Sequence, residues 1–139
     1  MKTSDLVAAI FEDCETPYAF AAAPTVIDGE KRLYESLLSA MRRIGCYNGF
    51  DGRKAADFLR KNLVAENEDG KIIRVCFGRE YSPALYLTLT AYDAKKDRRL
   101  TYQERRKQAR EFLALVKEKL EPDDVSVLPG CVTLRLWWD

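Results

Sequence analysis

Ala84-Leu85-Tyr86-Leu87-Thr88-Leu89-Thr90-Ala91-Tyr92 is the stretch on which the architecture of this chain turns. In an extended backbone Leu85, Leu87 and Leu89 point one way and Tyr86, Thr88, Thr90 and Tyr92 the other, because successive strand side chains alternate between faces. A helix would scatter the same leucines around its circumference. The stretch predicts a strand from Ala84 to Tyr92 in a sheet with two unlike sides. One is apolar and needs a cover; the other carries hydroxyls and rings.

The neighbouring segments supply the rest of that sheet. Lys71–Phe77 is rich in β-branched residues and reads as the partner strand, with Gly78–Pro83 as the hairpin loop and residues 66–70 as a polar turn before it. Two later strands, Val125–Leu128 and Val132–Trp138, flank the turn Pro129-Gly130. The last one alternates Val132, Leu134, Leu136 and Trp138 against Thr133, Arg135 and Trp137. Between the strand pairs, Thr101-Tyr102-Gln103-Glu104 has capping-box spacing. It opens a long helix with Tyr102, Ala109, Phe112, Leu113, Val116 and Leu120 on one side, stopped by Pro122.

The first half reads as helices. Leu33, Leu37, Met41 and Ile44 mark one face of a helix over 30–44, widened by Tyr34 and Leu38. Arg42 and Arg43 suit its last turn, and Gly45 suits a left-handed stop. Asp51 caps a helix over 51–63 that carries Ala55, Ala56, Phe58, Leu59 and Leu63. Leu6, Val7, Ile10 and Cys14 have helical spacing over residues 5–14, and Phe20–Pro24 reads as an apolar connector. The predicted fold is α+β: three N-terminal helices followed by ββαββ, a four-stranded antiparallel sheet with the long helix packed on its leucine face, and residues 1–139 forming a single domain.

Composition narrows the chemistry. The chain has 139 residues, 47% hydrophobic and 32% charged, with 23 basic and 22 acidic side chains for a net charge of +1. That balance calls for no polyanionic partner by itself; local patches must be argued separately. There is no histidine, which removes Ser-His-Asp and Cys-His nucleophile systems, histidine-ligated metals and a histidine base within one chain. No apolar run is long enough to cross a bilayer, and the start lacks the apolar segment of a signal peptide. Cys14, Cys46, Cys76 and Cys131 are widely spaced, so free thiols, cytoplasmic residence and no structural metal are expected.

Four constellations are candidates for function. The first is the basic run from Lys95 to Arg110, with Lys95, Lys96, Arg98, Arg99, Arg105, Arg106, Lys107 and Arg110; on the long helix Arg106, Arg110 and Lys117 share one flank, Glu104, Glu111 and Glu118 the other. Arginine forks on such a flank suit phosphates or an acidic protein surface, whereas a solvated face would hold its own pairs such as Lys107 with Glu111. The second is the outer sheet face, where Tyr86, Thr88, Thr90, Tyr92, Thr133, Arg135 and Trp137 mix rings, hydroxyls and arginine as base-stacking or protein-binding surfaces do. This face also suits self-association into a homodimer.

The third is an element order like that of a winged-helix DNA-binding domain, with Arg53, Lys54, Arg60 and Lys61 on the recognition helix and Arg79 at the wing tip. The fourth is a carboxylate cluster, Glu68, Asp69 and Asp93 with Lys95, which strand pairing would gather at one hairpin end for metal-dependent phosphodiester cleavage. Acidic residues in such turns are also ordinary turn chemistry. The leading expectation is a small non-enzymatic protein without a cofactor. It acts on a protein or nucleic acid through Arg98, Arg99, Arg105, Arg106, Lys107 and Arg110, joined by Tyr86, Tyr92, Arg135 and Trp137.

Overall fold

The structure is a computed structural model and describes residues 18–20, 31–47, 49–64, 66–80 and 82–139. The predicted helix over 5–14 lies outside these residues, as does most of the connector to Pro24. What is described begins with β1 (Tyr18–Phe20), then α1 (Lys31–Ile44), β2 (Cys46–Tyr47), β3 (Phe50–Asp51) and α2 (Gly52–Asn62). The long hairpin β4 (Ile72–Glu80) and β5 (Ser82–Leu89) follows, then β6 (Tyr92–Asp93) and β7 (Arg98–Arg99). The chain closes with α3 (Tyr102–Leu120), β8 (Asp124–Val127) and β9 (Thr133–Trp137).

The four expected strands make an antiparallel sheet in the order β4-β5-β9-β8, and the short β1 adds a fifth beside β4. The register keeps like with like. Val75 faces Leu87, which faces Leu134; Phe77 faces Leu85, which faces Leu136. These side chains and Leu89 are buried, and they form one cluster with Leu37, Leu38 and Met41 of α1, Leu59 of α2 and Val116 of α3. Helix α3 lies against β8, β9 and α2, and α2 lies against α1. All three helices therefore contribute to the apolar cluster on the leucine side.

Local signals account for the helix ends. Asp51 accepts the Arg53 and Lys54 amides at 3.0 and 3.2 Å, a direct N-cap for α2. Gly45 ends α1 at φ 70°, as its place after Ile44 predicts. At the far end of α3, Glu121 is left-handed and the Trp138 indole N–H donates to the Leu120 carbonyl at 3.1 Å. That bond satisfies a helix-terminal acceptor from the residue that follows the last strand. The Trp138 ring is buried edge-on to Phe50, whose ring stacks on Phe77. Trp137 points to the opposite side and is half-buried.

Three expectations need correction. Gly78–Pro83 is not a loop: Gly78 pairs with Ala84, Arg79 with Pro83 and Glu80 with Ser82, so both strands run to the hairpin tip. Tyr92 is not part of the sheet. The strand ends at Leu89: Thr90 still gives its N–H to the Lys71 carbonyl beside β4, but its own carbonyl accepts from the Gln108 side chain, and Tyr92 pairs instead with Arg99 in the β6–β7 hairpin. Tyr102 is not a core residue of α3 but stands 52% exposed. Strand β4 also carries a bulge at Ile73, between the pairs Ile72–Leu89 and Arg74–Thr88. The extra residue lets Ile72 and Val75 both reach the core while Ile73 turns away from it.

Candidate functional site

The basic run is organised by a small hairpin, β6–β7, that delivers the chain into α3. Asp93 accepts the Lys95 and Lys96 amides at 3.0 and 3.2 Å, and Asp97, left-handed at φ 50°, closes the turn while its carboxylate takes the Tyr92 hydroxyl proton in a hydrogen bond. Thr101 then caps α3 in a complete capping box. The Glu104 amide donates to Thr101 Oγ1 at 3.2 Å, and the Thr101 amide donates to Glu104 Oε1 at 2.9 Å. Arg98 reaches across from β7 and grips the same carboxylate with both guanidinium nitrogens, at 2.7 and 3.1 Å.

This clamp shifts both groups. The Arg98 hydrogen bonds, with the Thr101 amide next, hold the Glu104 carboxyl down at about 2, and the Arg98 guanidinium is raised in turn, chiefly by its hydrogen bond to Glu104. A carboxylate with a depressed folded value stabilises the fold fully above its ordinary value of 4.5 and stops doing so as pH falls toward 2. Glu104→Gln should therefore flatten the acid limb of a Tm-against-pH curve in that window. Equal acid slopes for the variant and the parent would refute the clamp.

The clamp also sorts the cations. Arg98 and Lys96 are committed to Glu104, the latter at 3.7 Å, and Lys107 pairs with Glu111 at 4.0 Å. Arg105 is fixed by carbonyls, donating to Leu100 at 3.0 Å and Gly130 at 3.2 Å, with its guanidinium carbon 5.8 Å from the Tyr102 ring centroid. Lys95, Arg99, Arg106 and Arg110 have no acidic partner among the described residues. Arg98 and Lys107, named from the sequence as binding residues, are thus engaged internally.

Two grooves run beside these free arginines. One, of about 590 Å³, is floored by Ile73, Ala91, Leu100 and Val132 and edged by Tyr92, Arg99 and Arg105. Gly130 also lines it, and around the turn from there lies the second, of about 240 Å³, formed by Arg106, Ala109, Arg110, Leu113, Val127 and Cys131. Among the described residues neither lining contains an acidic side chain. The apolar floors are what sequence reading missed. Val127 falls in the inward phase of its strand, yet it is 38% exposed because it lies on an edge strand.

The outer sheet face is partly covered. Tyr86, Thr88, Thr90, Thr133, Arg135 and Trp137 are all half-buried, and only Tyr92, outside the sheet, stands 46% exposed. Tyr86 lies between Cys76 and Arg135 in the cross-strand row, Thr88 and Thr133 hydroxyls sit 3.3 Å apart, and Arg135 reaches Asp124 at 3.6 Å. These contacts are those of a well-knit strand surface.

The remaining candidates are placed as follows. Glu68, Asp69, Asp93 and Lys95 do line one cleft of about 400 Å³, together with Glu104 and Gln108. Asp93 is occupied by its own turn, and among the described residues no three carboxylate, thiol or imidazole groups are arranged to hold a metal ion. Of the helix-borne cations, Arg60 grips Glu35 of α1 with both nitrogens at 2.9 and 2.7 Å, while Arg53 and Lys54 follow the Asp51 cap. Lys54 and Lys61 edge a groove between α2 and α3 with Lys119, beside Asp57. The hairpin ending near Arg79 is no free wing: β4 also pairs with β1, and β5 with β9.

Cys46, Cys76 and Cys131 are thiols rather than disulfides, and among the described residues no helix is long and apolar enough to cross a membrane. No protein-family model matches this chain, nor does any curated protein or solved structure.

Proposed function

We propose that this chain is a non-enzymatic binding protein whose working surface is the pair of cationic grooves flanking the Pro129-Gly130 turn. It takes an anionic macromolecule, an acidic protein segment or a nucleic acid, with no cofactor. One observation carries the reading. Among the described residues, Arg99, Arg106 and Arg110 lack acidic partners, and Arg105 is pre-positioned beside them over apolar floors that carry no carboxylate. A net charge of +1 means this concentration of free guanidinium groups is local, not a by-product of a basic chain. Arginine forks over apolar surface suit carboxylates and phosphates alike. Cytoplasmic residence belongs to the same reading, since the three described cysteines are unbridged.

Titration against duplex DNA, single-stranded RNA and an acidic test protein over a range of salt tests it. Binding to at least one probe should appear at low salt and weaken as salt rises. Charge reversal at Arg99, Arg106 and Arg110 together should reduce that affinity by at least about tenfold, the usual scale for charged contacts at an interface. Indifference to every polyanion at low salt would refute the proposal.

A further inference from the structure

We infer that the free edge of β8 docks an extended acidic peptide segment of a partner protein, which adds as a further strand with its carboxylates on Arg106 and Arg110. This deepens the cationic-groove reading and rests on it.

The edge itself is the first observation. Among the described residues β8 ends the sheet, paired with β9 on one side only. The Leu128 amide donates to the Thr133 carbonyl at 2.9 Å, which sets the phase of the ladder. Residues 126 and 128 turn their amide and carbonyl groups to β9, so Val125 and Val127 turn theirs outward, away from any strand among the described residues; at the start of the strand it is the Asp123 amide that reaches the Trp137 carbonyl, at 2.9 Å. Edges exposed in this way are normally blocked by lysine, an internal proline or a bulge. β8 has none of these, and its one charge, Asp124, faces Arg135.

The second observation is what lies beside the edge. Val127 is exposed over the groove it shares with Leu113 and Cys131, so the leucine side of the sheet continues past the cover that α3 provides. An added strand would complete that cover. Arg106 and Arg110 are one helical turn apart, about 6 Å between neighbouring side-chain origins. Alternate side chains of a strand are about 6.8 Å apart, so successive inward positions of the peptide meet successive arginines.

That match decides the occupant. A nucleic acid offers no ladder of amides and carbonyls to Val125 and Val127. A second copy paired edge to edge would set Arg106, Arg110 and Lys117 against the same cationic flank of its partner, which is repulsive. An acidic strand satisfies both the backbone and the arginines.

The test uses the full chain and a synthetic peptide alternating valine and glutamate. Val127→Pro removes one outward amide and no ladder bond, whereas Val127→Ala trims the side chain and keeps the amide. The proline variant should bind the peptide about tenfold more weakly than the alanine variant, the scale of one lost interfacial hydrogen bond. In the parent chain, peptide should slow amide exchange at Val125 and Val127, a readout that stands even if the proline variant does not fold. Equal affinities with unchanged exchange would overturn the edge proposal. If acidic probes still bound through the arginines, the broader reading would survive. Sedimentation showing a dimer that Val127→Pro dissociates would assign the edge to a second copy and overturn it as well.

Discussion

Replacing Trp138 with alanine is expected to remove about 4 kcal/mol of stability, within the range for deleting a large buried ring. The side chain is 1% exposed, lies edge-on to Phe50 at a centroid distance of 4.9 Å, and donates its indole proton to the Leu120 carbonyl at 3.1 Å. The substitution therefore opens a cavity between the sheet and the helices and strands a helix-terminal acceptor. Most domains have only about 5–15 kcal/mol in hand, so the loss is a large share of the total. Trp138→Phe separates the two effects. It keeps most of the ring contact and removes only the donor, for an expected loss of about 1–3 kcal/mol. Urea unfolding followed by circular dichroism reads both. A Trp138→Ala loss smaller than that of Trp138→Phe would show that the ring does not join the layers.

The second large effect is at Gly52, where α2 begins against α1. Its amide donates to the Gly45 carbonyl at 2.7 Å, and a Cβ there would stand 1.8 Å from the Met41 carbonyl oxygen and 2.7 Å from its carbon. Those atoms belong to helix backbone and cannot swing aside as a side-chain tip would. Gly52→Ala must separate the two helices or unwind the start of α2, with an expected loss of about 3 kcal/mol, the upper end of ordinary overpacking costs. Alanine is otherwise the better helix former by about 1 kcal/mol, so a destabilising result has the opposite sign from propensity. Thermal unfolding that showed Gly52→Ala unchanged or stabilised would place the α1–α2 contact elsewhere.

Much of the fold was readable along the chain. The Leu85-Leu87-Leu89 alternation, the Thr101–Glu104 box, the Asp51 cap and the Gly45 stop all appear where their spacing puts them. β1, the two short hairpins and the bulge at Ile73 were not readable, because segments of two or three residues carry too little periodicity. The candidate site was legible only as a list of cations. Nothing in the order of residues separates Arg98, clamped on Glu104, from Arg99, which has no acidic partner among the described residues.

Alone, the order of residues determined which segments extend or coil and which side of each is apolar. Both follow from the period at which one backbone presents its side chains. Only the tertiary structure decided that Tyr92 leaves the sheet, that Tyr102 and Val127 stay exposed, and that β8 has one strand neighbour among the described residues. Those outcomes depend on which distant groups meet a given amide, carboxylate or apolar surface, as the Gln108 side-chain amide meets the Thr90 carbonyl. Such competition is settled in space, between residues whose separation along the chain carries no trace of it.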